Sequence, residues 1–107
     1  GDYFISVHRN SSVYPNQYSG VESLVYNQYS EAAQLALNIN AQLERIGWNN
    51  IGINERPNLI VLNRTEMPAV LVEVGFINTE TDNELLDRKF YETAGAIADG
   101  ILETIAG

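Results

Sequence analysis

Glu73 lies inside the run Pro68-Ala69-Val70-Leu71-Val72-Glu73-Val74-Gly75-Phe76, a carboxylate set in what otherwise reads as a buried strand. Five aliphatic residues flank it, three of them Val, the pattern of a strand covered on both faces in a parallel α/β sheet. An ionised carboxylate in that setting is costly unless it meets a partner, a metal or open water. Glu73 stands near the carboxyl end of the run, just before Gly75, and ligand sites in open α/β sheets gather at that end. That position makes Glu73 the first catalytic candidate. Tyr3-Phe4-Ile5-Ser6-Val7-His8 is a second apolar, β-prone run, and it ends in the single His of the chain. If the two strands lie parallel in one sheet, both polar groups reach the same rim. Structural alternatives stay open on this ground alone: a hydrogen-bonded His at a strand end, and a Glu in a buried ion pair.

The elements that must position these groups can be read along the chain. A first strand covers about residues 2–8, and a polar, turn-rich loop runs from Arg9 to Gly20. Following His8 directly, that loop is placed either as a solvated connection or as a wall of the cleft. Val21–Tyr26 alternates as a short strand. Ala32, Leu35, Ala36, Ile39, Leu43 and Ile46 then recur at helical spacing, with Asn27 or Ser30 to cap the start and Arg45-Ile46-Gly47 to close the end. Trp48 falls in a turn region with Asn49, Asn50 and Gly52, and is expected to pack on the helix end. Leu59–Leu62 reads as a short buried strand, and Thr65–Pro68 as a breaker before the Glu73 strand. Thr79 with Asp82 resembles a capping box. Asp87 is placed to cap a last helix whose stripe is Phe90, Ala94, Ile97, Ile101 and Ile105. The order β–β–α–β–β–α predicts an α/β layer, a mostly parallel sheet with flanking helices.

Composition narrows the function. At 107 residues the chain has room for one core. Its net charge of −8 repels phosphate-rich partners, which argues against nucleic acid and anionic membrane surfaces. No apolar run approaches the roughly 20 residues that span a bilayer, so no membrane insertion is expected. With no Cys, thiolate catalysis, disulfides and Cys-type zinc sites are excluded. With one His, a complete catalytic zinc site of three protein ligands is hard to assemble from this chain.

Phe4-Ile5-Ser6-Val7-His8-Arg9-Asn10, then Gly20-Val21-Glu22, then Met67 through Asn78 resemble the zinc-dependent N-acetylmuramoyl-L-alanine amidases of bacterial autolysins, spore-cortex enzymes and phage endolysins. The likeness extends to the final Ala96–Leu102 helix. It implies hydrolysis of the amide between N-acetylmuramic acid and L-alanine in peptidoglycan, outside the cell or in its wall, whether by a host enzyme or a phage-delivered one. It further implies His8 as a zinc ligand, Glu73 as the catalytic carboxylate, and Asn10 as a site-organising residue. Arg9 stands where many members carry a small residue.

The resemblance also implies an upstream first strand with a Gly-His-Gly segment and a further acidic ligand, both missing from this chain. Residues 1–107 are therefore expected to be the C-terminal part of one amidase catalytic domain, amidase-like but lacking N-terminal strand(s). The Zn2+ site is expected to be incomplete, and the chain alone inactive. An uncovered sheet edge predicts dimerisation or strand-swapped association. The competing function is a non-catalytic peptidoglycan-binding or regulatory module that keeps the fold. A Rossmann-like binder is a third possibility, weakened by the lack of a Gly-rich phosphate loop after any strand.

Overall fold

The computed structural model describes residues 2–59, 62 and 67–107. Four strands, β1 (Phe4–Asn10), β2 (Val21–Val25), β3 (Asn50–Glu55) and β4 (Ala69–Phe76), form one sheet in the order β1-β4-β2-β3. β1 runs parallel to β4 and β3 parallel to β2, while β2 and β4 pair antiparallel. Helices α1 (Glu31–Arg45), α2 (Glu80–Arg88) and α3 (Phe90–Ala106) complete the described elements. The expected mostly parallel α/β sheet is present, with the β2–β4 pair as its antiparallel member.

The core follows from alternation along β4. Val70, Val72 and Val74 meet Val21 and Val25 of β2 and the stripe Leu35, Ile39 and Leu43 of α1, all within one buried cluster. Each large aliphatic side chain hidden there contributes about 1.5–3 kcal/mol relative to exposure. α3 crosses α1 closely, and Gly100 is what permits it: a Cβ there would stand 2.6–2.8 Å from Ile39 atoms. On the opposite face of the sheet, Leu24, Leu62, Ala69 and Leu71 form a smaller buried cluster, with Leu59 packed against it. β4 is thus covered on both faces, and Glu73 is its one residue that is not buried.

Four local expectations need correction. The strand expected at Leu59–Leu62 is not found at its described ends. Leu59 N donates to Arg56 O and Leu62 N to Leu59 O, and Leu62 is helical; Ile60 and Val61 lie outside the described residues. A four-residue apolar run does not distinguish strand from helix by periodicity. The third strand is instead Asn50–Glu55, read as part of a turn region because Asn and Gly disfavour strands. Being an edge strand, it needs no continuous apolar run. Its register is held from outside the sheet: buried Asn40 of α1 donates through Nδ2 to Asn50 Oδ1 and Gly52 O, both at 3.0 Å, and accepts from Ser23 Oγ at 2.6 Å.

The capping box of Thr79 and Asp82 is the third. α2 does start after Thr79, but no side-chain cap bond forms. Thr79 Oγ1 donates to Tyr18 O, and the Asp82 carboxylate turns inward. Asp82 accepts from Gly20 N at 3.0 Å, Phe76 N at 2.8 Å and Ser19 Oγ at 2.7 Å. Likewise Asp87 does not cap the last helix; Lys89 occupies that position, and its Nζ donates to Ile46 O at the end of α1. Trp48 packs as expected and is more deeply buried than a turn residue, its Nε1 donating to Thr93 Oγ1 at 3.0 Å.

Asp82→Ala leaves two buried backbone N–H groups without their acceptor, and urea unfolding should show a loss of about 2–5 kcal/mol. Asp82→Asn, which keeps one carbonyl acceptor, should lose about half of that. A loss under about 1 kcal/mol for the alanine variant would mean that the rim is held by other contacts.

Candidate active site

Parallel pairing of β1 with β4 sets His8 and Glu73 as direct Cα partners. Antiparallel pairing of β2 with β4 sets Glu22 as the partner of the same Glu73 on its other side. Laterally paired residues point to one face, so His8, Glu73 and Glu22 form a row across three strands, spaced by roughly 4.8 Å per strand. The row runs along the carboxyl ends of β1 and β4 and the amino end of β2. His8 is exposed, and Glu22 and Glu73 are half-buried.

The backbone at this rim is shaped by specific contacts. After His8 the β1–β4 register slips by one residue, so that Asn10 pairs with Phe76. Arg9 clasps the slip: its Nε donates to Val74 O at 2.6 Å, and its guanidinium reaches Asn83 Oδ1 at 2.8 Å. The strand carrying His8 is thereby fixed to the one carrying Glu73, immediately beyond both residues. Gly75 has φ +73°, and a Cβ there would stand 2.8 Å from the Trp48 ring and 3.1 Å from Asp82 Cβ. Glycine at that position lets β4 bend over the tryptophan and brings Phe76 N to the Asp82 carboxylate.

The electrostatics single out Glu73. Burial pushes its carboxyl above the ordinary carboxylate range, and the Glu22 charge pushes the same way; His8 and Arg56 pull against them without reversing the shift. Leu71 precedes Glu73 on the same face, within the small apolar cluster, which accounts for the lost hydration. Glu22 is anchored on its other flank by Asn54 of β3, whose Nδ2 donates to Glu22 Oε2 at 2.5 Å.

Asn10 stands at the mouth of the row. Its Oδ1 accepts from Ser11 N at 2.8 Å and its carbonyl accepts from Ile77 N at 2.8 Å, which ties the start of the polar loop to the end of β4. Beside it a cavity of about 450 Å³ opens between the loop and the sheet, lined among others by Asn10, Ser11, Gln17, Tyr18, Glu22 and Phe76. The loop is therefore a wall of the cleft. Among the described residues, no three His, Asp or Glu side chains converge to hold a metal ion.

The sequence placed His8 and Glu73 at one rim, and the structure pairs them there, with Asn10 two residues beyond His8. It did not single out Glu22 or Asp82 as parts of that rim, and it read Arg9 only as a variation. A signal for Glu22 was present: it is a carboxylate, second in a short apolar strand that follows Gly20.

Known proteins share this sequence and fold. The chain is 33% identical over 104 residues to a probable cell wall amidase LytH of Staphylococcus saprophyticus, covering 94% of this chain and 34% of that protein. It is 29% identical over 104 residues to a germination-specific N-acetylmuramoyl-L-alanine amidase of Bacillus subtilis, covering 94% and 44%. The catalytic domain of CwlV, an N-acetylmuramoyl-L-alanine amidase from Bacillus (Paenibacillus) polymyxa var. colistinus, superposes with a TM-score of 0.83 at 32% identity, over 97% of this chain and 57% of that one. The chain thus spans between about a third and somewhat over half of these relatives. A sequence profile of the N-acetylmuramoyl-L-alanine amidases matches residues 1–103, and the chain belongs to that family.

Proposed function

We propose that this chain is the C-terminal part of the catalytic domain of a peptidoglycan amidase acting at the bacterial cell wall, which hydrolyses the bond between N-acetylmuramic acid and L-alanine. The observation that carries this reading is the lateral pairing of His8 with Glu73 at the open rim of the sheet. Glu73 serves as the proton carrier: it accepts a proton from the attacking water and delivers it to the departing nitrogen. Its raised carboxyl suits both halves of that task, since an ordinary glutamate is too weak a base near neutral pH. Asn10 orders the loop that walls the cleft, and Arg9 keeps the two strands in register.

His8, exposed beside a carboxylate, suits one imidazole ligand to zinc. A zinc ion held there would supply Lewis acidity to the scissile carbonyl and acidify water. The described residues give no full ligand set, so the remaining ligands are assigned to other parts of the full-length protein. The non-catalytic module is less favoured, because β4 keeps a half-buried carboxylate with a raised pKa at the open rim, beside His8, where a purely structural strand has no need of one.

Three outcomes test this reading. In the full-length protein, Glu73→Gln should lower hydrolysis of purified peptidoglycan by about 10²–10⁴-fold, as loss of a general acid–base does. The same change should stabilise the chain at neutral pH. Because the folded carboxyl titrates above its unfolded value, the stability it contributes is full below the unfolded pKa and is lost as pH rises through the folded one. The variant's advantage should therefore shrink towards acid pH, and urea midpoints across pH would expose any other pattern.

Elemental analysis after dialysis should find little zinc on the 107-residue chain. A tightly bound ion that His8→Ala does not remove would refute the assignment of His8.

The third concerns association. β1 is paired on one side only among the described residues, and Val7, 56% exposed, borders an apolar groove of about 360 Å³ with Val74, Leu86, Phe90 and Ile97. We infer that the isolated chain self-associates through this edge. Light scattering should show mass rising with concentration, and a constant monomer mass would count against it.

A further inference from the structure

We propose that Glu22 receives the ammonium group of the departing stem peptide, and that the cavity beside it holds that peptide. The inference rests on the amidase reading above and extends it to product recognition. Hydrolysis of an amide consumes one water: its oxygen joins the carbonyl carbon, the C–N bond breaks, and at neutral pH both water protons end on nitrogen. The products are a carboxylate and an alkylammonium, and Glu73 is the group that hands over a proton. The new positive charge is therefore born next to Glu73, with two neighbours in the row to choose from.

One neighbour is His8, which offers no negative charge. The other is Glu22, directly across from Glu73 on β2 and steadied by Asn54. Its Asn54 partner is a neutral amide, so that bond brings no positive charge to compete with a cationic ligand. There is also room. Glu22 pairs on β3 with Gly52, and among the described residues nothing lies within 4 Å of where a Cβ would stand there. The 450 Å³ cavity extends from Glu22 past Gln17 to the Tyr18 and Phe76 rings, whose centroids are 5.9 Å apart. That volume is in the range of small-ligand sites, and it joins amide and hydroxyl groups to aromatic surface, as a short peptide requires. The same carboxylates repel the other product, the lactyl carboxylate, so the two halves separate by charge.

The test compares L-alanyl-L-alaninamide with its N-acetylated form, titrated into the 107-residue chain and followed by NMR. The acetylated probe carries a neutral amide where the other carries its ammonium. The free amine should bind at least about fivefold more tightly, the scale of a partly screened charge pair, and should shift the amide signals of Glu22, Tyr18 and Phe76. Glu22→Gln, isosteric and still able to accept from Asn54, should bring the two affinities within about twofold. Equal binding of both probes by the unaltered chain, or a preference that survives Glu22→Gln, overturns the inference. Wall hydrolysis by the full-length protein is scored alongside. Hydrolysis without amine preference defeats this inference alone; absence of hydrolysis defeats the amidase reading and the inference with it.

Discussion

The buried carboxylate of Asp82 is the constraint on which the rim of this sheet depends. It gathers three donors from two distant segments: Ser19 and Gly20 at the entrance to β2, and Phe76 at the exit of β4. Charge-assisted hydrogen bonds of this kind are about twice as strong as neutral ones, and here they replace what a longer strand pairing would supply. Each of those segments lies within three residues of a member of the His8–Glu73–Glu22 row or of the loop that walls it. The rim is therefore shaped from beneath, by a buried group.

Around this anchor the fold solves a conflict between burial and reactivity. β4 is the sheet's most buried strand because two layers of aliphatic side chains close on it. The same burial makes it a hostile place for a charge, and Glu73 is held where that hostility is partial. A carboxylate in open water would keep an ordinary pKa; one fully enclosed would stay protonated. Leu71 on one side and the open rim on the other set Glu73 between these limits, and the Glu22 charge adds to the shift.

Much of this was legible in the sequence. Apolar runs placed β1, β2 and β4, helical spacing placed α1, and the catalytic candidates stood out as polar residues in apolar contexts. What escaped shares a physical character. β3 carries Asn and Gly where strands prefer branched residues, since as an edge strand it is held by Asn40 and β2 rather than by its own apolar pattern. Asp82 sat at the spacing of a capping box, and local spacing does not reveal a partner more than sixty residues away. Glu22 stood out as a carboxylate in a short apolar strand, but only the antiparallel pairing of β2 with β4 sets it beside Glu73.

The Asn40 contacts have a consequence for how the sheet can vary. A strand without an alternating pattern is poorly protected against sliding by a residue along its neighbour, and β3 is such a strand. A single amide on α1, reaching Asn50 and Gly52 together, fixes the alignment from the next layer. Positional information for β3 is therefore stored in the helix. Asn40, buried on α1, is the residue whose replacement would let the edge of the sheet misalign.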